Sequence, residues 1–107
     1  MVHDAKPVPW STAATAAGVD HVRLSYLYLD EDDPDAFASL LHADVRIDRP
    51  DCRGGRHALD KVIADGDCVA VVGRYSCRSG GQDMPFADVF TLSAEGLLLG
   101  CRRYYAP

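Results

Sequence analysis

The sequence has no long apolar run, no paired cysteine motif and no excess of basic residues. Nothing in it approaches the roughly 18 to 20 consecutive apolar residues of a membrane-spanning helix, so no transmembrane segment is predicted. Its 107 residues include 16 acidic and 11 basic side chains, a formal charge of −5. That balance argues against a nucleic-acid or anionic-membrane binder, which needs a basic surface. The length predicts a single domain with one core and one modest pocket.

The four cysteines show no metal-binding or redox pattern. They form no CxxC pair and have no histidine at zinc-finger spacing, and they lie at Cys52, Cys68, Cys77 and Cys101. We therefore expect free thiols and no metal site. Free thiols are typical of the cytoplasm, and the N-terminal residues lack the compact apolar core of a signal peptide. The sequence thus predicts a soluble, cytoplasmic protein.

The acidic residues are concentrated in one short segment. Five of the six residues from 30 to 35 are Asp or Glu, and without them acidic and basic residues are equal in number. Asp33 directly before Pro34 is typical of a helix N-cap followed by a first-turn proline. We expect this segment to be a solvated, capped connection between helices.

Helical periodicity precedes a series of strand patterns. Pro7 and Pro9 indicate a flexible arm over residues 1–11, followed by a single domain over 12–107. The spacing predicts a helix over 12–29 and a short helix around Phe37. Alternation predicts strands at 45–48, 68–75, 84–93 and 97–105. Segment 57–64 fits a strand or a two-turn helix, and the Asp65-Gly66 turn signal favours the strand. The order indicates an α+β fold with a mostly antiparallel sheet.

Seven short segments also match a known superfamily in their order and character. They are 26–30 (YLYLD), 35–37 (DAF), 43–45 (ADV), 65–71 (DGDCVAV), 86–90 (FADVF), 95–96 (EG) and 103–105 (RYY). Over residues 17–106 the chain resembles the nuclear transport factor 2-like superfamily, in particular the SnoaL-like small polyketide cyclases. The resemblance implies a cone-shaped α+β barrel, in which two N-terminal helices pack on a strongly curved sheet around a blind apolar pocket. It also implies a homodimer through the outer sheet face. The family's third helix is expected to be shortened or missing, because only 56–64 is available for it.

The polar groups that face the pocket are implied by strand registers carried over from limonene-epoxide hydrolase and ketosteroid isomerase. Pairing about the Asp65-Gly66 turn places Asp60 opposite the inward Val71. The inward polar set is then Tyr26, Arg49, Asp60, Tyr75, Cys101 and Arg103. Asp60 and Tyr26 are the expected catalytic residues, and Arg49, Tyr75, Cys101 and Arg103 are the expected ligand-binding residues.

The catalytic sets of these two families do not transfer residue for residue. The water-activating Asp of limonene-epoxide hydrolases falls on Arg103, and the proton-shuttling Asp of ketosteroid isomerases falls on Arg49. The polyketide cyclases use an acid and a histidine, for which Asp60 or Asp88 and His57 are the candidates. By strand parity we expect Asp88 on the outer face, and we expect His57 at the surface. Asp60 beside the two arginines fits a structural ion pair as well as a general base.

The expected function is binding of a small, mostly apolar metabolite, neutral or anionic, such as a polyketide. The expected chemistry is cofactor-free cyclisation or isomerisation by general acid-base proton transfer, which one positioned group can support. The alternative is a non-catalytic ligand carrier or a dimeric interaction module of the same fold.

Overall fold

Two helices precede the strands, as the periodicity predicts. The computed structural model describes residues 11–48, 55–77, 80–81 and 83–106. Helix α1 spans Thr12–Asp30 and α2 spans Pro34–Ala38. Five strands follow: β1 (Leu41–Asp48), β2 (Arg56–Asp65), β3 (Cys68–Ser76), β4 (Met84–Leu92) and β5 (Leu98–Tyr105). The predicted arm, apart from its last residue, and the ligand residue Arg49 lie outside the described residues.

Side-chain caps fix the start of both helices. Ser11 precedes α1, and its hydroxyl accepts a hydrogen bond from the Ala14 amide at 3.0 Å. Asp33 does the same for α2, where its carboxylate accepts from the Ala36 amide at 3.2 Å and Pro34 occupies the first turn. Such caps satisfy amides that a helix leaves without internal partners. The cap predicted from the Asp33-Pro34 pair is therefore confirmed.

The five strands form one sheet in the order β1-β5-β4-β3-β2. β1 runs parallel to β5, and every other neighbouring pair is antiparallel. This arrangement confirms the prediction of an α+β fold with two helices on a mostly antiparallel sheet, and segment 57–64 is a strand. The described residues contain no third helix. The sheet is not closed into a barrel, because β1 and β2 remain its two edges.

The inner face of the sheet, which packs against α1, differs between its two ends. At one end Leu92 and Leu98 are each 2% exposed, and a Cβ atom at Gly18 of α1 would overlap Leu92. At the other end β1, β3 and β5 finish while β2 and β4 begin. There the inner-face side chains of Ile47 and Met84 are 41% and 36% exposed. We call these the closed end and the open end.

The β2–β3 turn lies one residue later than predicted, which shifts the pairing of β2 by two residues, and β2 also contains a bulge. Asp65 pairs with Cys68, so the turn residues are Gly66 and Asp67, and Val62 rather than Asp60 lies opposite Val71. A register shift between Leu59 and Lys61 leaves Asp60 as the extra residue. Its side chain is 50% exposed and binds Arg74 at 3.3 Å. The expected inward position of Asp60 is therefore wrong.

Asp88 takes the inward position instead. It pairs with Val71 across β3 and β4, and both residues are completely buried on the inner face. Phe86 and Phe90, two positions to either side along β4, are also buried there. The outer-face position expected from parity is wrong, because alternation along β4 puts Asp88 on the same side as these two rings.

Two other expectations concern cysteines and membranes. Cys77 is disulfide-bonded, so the expectation of free thiols is wrong at this residue, whereas Cys68 is an exposed thiol. The cysteines therefore no longer support the predicted cytoplasmic location. Within the described ranges, no helix is long and apolar enough to span a bilayer, and no group of three or more His, Cys, Asp or Glu side chains is placed to hold a metal ion.

Candidate functional site

A fully buried carboxylate lies at the centre of the inner face. Asp88 on β4 accepts a hydrogen bond from the Tyr26 hydroxyl of α1 at 2.6 Å. It also accepts two from Arg103 on β5, from Nε at 2.7 Å and from Nη2 at 2.8 Å. The side chains of Asp88 and Arg103 are both 0% exposed. Charged groups survive such burial only when they are paired and hydrogen-bonded, and here three bonds converge on one carboxylate.

Aromatic rings surround the guanidinium of Arg103. Its Cζ atom lies 4.0 Å from the ring centre of Phe86, 5.5 Å from that of Tyr75 and 5.7 Å from that of Tyr105. These distances are within the range of cation-π attraction. The positive charge of Arg103 is thus neutralised by the carboxylate of Asp88, and the neighbouring aromatic rings stabilise it further.

A second carboxylate holds a histidine at the open end. The ring nitrogen Nδ1 of His57 lies 2.6 Å from Oδ1 of Asp30, and the backbone amide of His57 donates to Oδ2 at 2.9 Å. Asp30 is the last residue of α1, and His57 is the second residue of β2. Because a carboxylate only accepts hydrogen bonds, the proton of the neutral imidazole is assigned to Nδ1, which makes Nε2 the basic nitrogen.

The imidazole of His57 is buried among aromatic rings. Its side chain is 3% exposed, and Nε2 is buried. The ring centre lies 5.0 Å from Tyr26, 4.7 Å from Tyr75 and 5.7 Å from Phe86. Tyr26 also donates to Asp88, so one aromatic ring contacts both polar groups. We call Asp30, His57, Tyr26, Asp88 and Arg103 together the interior network.

The structure brings some of the predicted site residues together and separates others. Tyr26, Tyr75, Cys101 and Arg103 lie on the inner side of the fold, where each is at most 7% exposed. Tyr26 directs its hydroxyl proton at Asp88, and Arg103 directs two donors at the same carboxylate. Asp60 lies on the outer face beside Arg74. Nothing in this geometry supports the predicted catalytic role of Asp60.

Three members of the interior network were misplaced or missed by the sequence analysis. Asp88 was expected outside, although its place between Phe86 and Phe90 in an alternating strand indicates the inner face. The sequence predicts His57 at the surface and Asp30 in a solvated acidic segment, whereas in the structure the two residues bind each other. The contact between Asp30 and His57 joins residues 27 positions apart. No local pattern could have indicated it, because it depends on where the end of α1 meets the start of β2.

The interior network combines one acid-base group with a charge-neutral pair. His57 is the residue suited to accept and return a proton, and Asp30 is placed to stabilise the imidazolium that forms when it does. Asp88 and Arg103 compensate each other within the apolar interior.

Comparison with known proteins identifies the fold. No family model and no curated protein matches the sequence. An NTF2-like protein of unknown function from Burkholderia pseudomallei superposes with a TM-score of 0.70 at 20% identity, covering 84% of this chain and 91% of the other. SalBIII, an epoxide hydrolase/cyclase-like enzyme with a role in pyran ring formation in the polyether salinomycin, gives 0.73 at 18% identity, covering 85% and 92%. TerC, co-crystallised with polyporic acid, gives 0.73 at 18% identity, covering 84% and 92%.

Other matching structures include a ketosteroid isomerase-like protein from Kribbella flavida and a polyketide cyclase-like protein from Sinorhizobium meliloti. The chain therefore has the nuclear transport factor 2-like fold, and the resemblance seen in the sequence is confirmed at that level. This fold carries cyclases, isomerases and proteins without known activity, so the function has to be argued from the site.

Proposed function

We propose that this protein binds a small, mostly apolar metabolite at the open end and catalyses a cofactor-free proton transfer on it, in a cyclisation or an isomerisation. His57 accepts and returns the proton, and Asp30 is the positioning residue for His57. The buried pair of Asp88 and Arg103 fixes Tyr26 beside the imidazole. Fold neighbours described as a ketosteroid isomerase-like protein, a polyketide cyclase-like protein and an epoxide hydrolase/cyclase-like enzyme support this class of reaction.

The observation that carries the proposal is the double hydrogen bond between Asp30 and His57 within an aromatic interior. Any buried imidazole N–H needs an acceptor, and a carboxylate in that position also fixes the tautomer and stabilises an imidazolium, which are the two properties that a general base requires. Both bonds, 2.6 Å and 2.9 Å long, are made to one side chain at the open end. His57 is thus held in one orientation with Nε2 as its basic atom.

The proposed step starts from a ligand with an acidic C–H bond next to a carbonyl group. That bond breaks, its electron pair enters the enolate, and the proton forms an N–H bond at Nε2 of His57. In an isomerisation the same proton returns to a different carbon. In a cyclisation the enolate carbon attacks an internal carbonyl, and the resulting alkoxide takes the proton. No cofactor is required, because the imidazole ends each cycle in its starting state.

Hydrogen-deuterium exchange tests this proposal without knowledge of the natural substrate. The probe is 2-tetralone in D₂O at neutral pH, whose C1 protons are followed by NMR. We expect the wild-type protein to accelerate exchange, and His57→Gln to remove an acceleration of about 10²-fold or more. Asp30→Asn keeps the imidazole but loses the charge that stabilises the imidazolium, so it should lower the rate by a smaller factor.

His42→Gln is the matched control, because His42 lies at the closed end of β1 and its Nδ1 accepts only a local bond from the Asp44 amide. The exchange rate of this variant should equal that of the wild type. Wild-type exchange no faster than buffer, or equal loss of rate in the His42 and His57 variants, would contradict the proposal.

We also propose that the outer face of the sheet pairs with a second copy of the chain. Two neighbouring cross-strand rows on that face are mainly apolar: Lys61, Val72, Ala87 and Tyr104, and Ile63, Ala70, Val89 and Arg102. Four of these side chains, Ile63, Val72, Val89 and Tyr104, are large hydrophobic groups between 37% and 52% exposed. The ion pair of Arg74 with Asp60 lies beside the first row, and Arg102, at the end of the second row, forms an ion pair with Asp48. A surface with an apolar centre and a rim of mixed charge is suited to self-association.

A further inference from the structure

We propose that two copies of the chain pair about a twofold axis that runs along β4, so that Arg46 of each copy faces Asp65 of the other. This inference rests on the self-association proposed above and adds how the two outer faces are oriented. The occupant of the outer face is a second copy because the face is complementary to itself, in charge and in shape, when it is turned about β4.

The first argument is a third cross-strand row on the outer face, beside the two apolar rows. It has a negative charge at the β2 edge, a positive charge at the β1 edge and small uncharged residues between them: Asp65, Cys68, Thr91, Gly100 and Arg46. Asp65 and Arg46 are both exposed. Because β4 lies midway between the two edge strands, a half-turn about β4 exchanges the two ends of the row. Each Asp65 then faces an Arg46, which is the reciprocal pattern of a twofold interface.

The second argument is the shape of the same face. A groove of about 450 Å³ lies on the half formed by β1, β5 and β4, where Gly100 has no side chain to fill it. On the other half, the side chains of Ile63 on β2 and Val72 on β3 are 50% and 43% exposed. A half-turn about β4 places the apolar half of one copy over the groove of the other. Apolar side chains then leave water on both copies and fill the groove.

The third argument is that the other aligned arrangement is unfavourable. In aligned packing, the strands of two facing sheets run within about 30° of each other, so the twofold axis lies near the strand direction or near the row direction. An axis along the third row would place Arg46 against Arg46, Asp65 against Asp65 and one groove against the other. Like charges that face each other across an interface are costly, and facing grooves leave space unfilled. The axis along β4 avoids both.

Charge reversal tests this arrangement. The dimer dissociation constant is measured at low salt by analytical ultracentrifugation. Arg46→Glu brings two carboxylates together at both ends of the interface, so we expect the dissociation constant to rise by about tenfold or more. Asp65→Lys brings two cations together and should weaken the dimer by a similar factor. The double variant Arg46→Glu, Asp65→Lys again pairs opposite charges, so its dissociation constant should return to within about threefold of the wild-type value.

Arg23→Glu is the matched control, because it changes the net charge as Arg46→Glu does but at an exposed position on α1, away from the outer face. It should leave the dissociation constant unchanged. Single variants that dimerise like the wild type, or a double variant as weak as the single ones, would overturn the inference and leave self-association through the outer face standing. A wild-type protein that stays monomeric would instead contradict the self-association itself.

Discussion

At the scale of single residues, the buried carboxylate of Asp88 connects the helix to the sheet. It receives donors from Tyr26 on α1 and from Arg103 on β5, and all three side chains are at most 7% exposed. Each partner is costly to remove, because the charge left behind stays in an apolar interior. The positions of Tyr26 and Arg103 and the stability of this part of the core therefore depend on the same three hydrogen bonds.

Replacing Asp88 by alanine should destabilise the protein strongly. The variant leaves the buried guanidinium of Arg103 without its carboxylate, and breaking a buried ion pair in this way costs about 3 to 5 kcal/mol. Urea unfolding followed by circular dichroism measures the change in the free energy of unfolding. The double variant Asp88→Ala, Arg103→Met removes both charges and should recover most of the loss. A loss below about 1 kcal/mol in the single variant, typical of an exposed pair, would show that Asp88 is not buried as described.

Residue identities alone could not distinguish Asp88 from Asp60. Both are single aspartates within strand patterns, and each has an arginine partner, Arg103 for the first and Arg74 for the second. The neighbouring residues determine which aspartate faces inward. Asp88 alternates with two buried phenylalanines, whereas Asp60 lies at an irregularity of the strand pairing. The inner-face positions of Cys101 and Arg103 were predicted correctly because β5 alternates regularly over 100–105.

At the scale of elements, the contact between β2 and β3 determines where His57 lies. Gly73 on β3 pairs with Leu59, two residues beyond His57, next to the register shift in β2. A Cβ atom at Gly73 would overlap the carbonyl oxygen of Ala58 and would lie 3.1 Å from Cζ of Phe86. Glycine is therefore required for the two strands to approach each other here.

Gly73→Ala should lower the free energy of unfolding by about 1 to 3 kcal/mol, because backbone atoms of β2 have to move to admit the methyl group. It should also slow the exchange of 2-tetralone, since the movement displaces His57. Gly100→Ala on β5 is the control: its nearest neighbour would be 3.5 Å away, an ordinary contact. Urea unfolding and the exchange assay measure both variants. Equal effects of the two substitutions would contradict the close β2–β3 contact.

Elements were more predictable than the registers between them. The bounds of α1, the cap of α2 and the strand character of 57–64 follow from local periodicity and capping residues. The three register shifts, one in each of the pairings β1–β5, β2–β3 and β4–β5, do not follow from these patterns. A bulge changes which face the neighbouring residues occupy, so simple alternation fails there, as it did for Asp60, the extra residue of the β2 bulge.

At the scale of the whole molecule, the two faces of the sheet differ in character. Its inner face holds the interior network, and its outer face presents exposed apolar rows. The superfamily fold could be predicted because it depends on the order of elements. The site could not, because it depends on contacts between distant segments such as Asp30 with His57.

Val89→Lys should convert the proposed dimer to a monomer, because it places a charge in the centre of the outer face, where Val89 is 37% exposed. Size-exclusion chromatography with light scattering measures the mass. Leu27→Lys is the control, since Leu27 is 48% exposed but lies on α1, away from the outer face. A wild-type protein that is monomeric at high concentration, or a Leu27 variant that dissociates equally, would contradict self-association through the sheet.

The central claim is that the open end binds ligand beside a histidine held by Asp30. It is tested most directly by long-range ¹H–¹⁵N NMR of the four histidine side chains, recorded while 2-naphthol is added. We predict that His57 shows the Nδ1-protonated tautomer and that its Nε2 signal moves with saturation, while the signals of His21 and His42 stay in place. An Nε2 signal of His57 that does not respond at saturating 2-naphthol would contradict the claim.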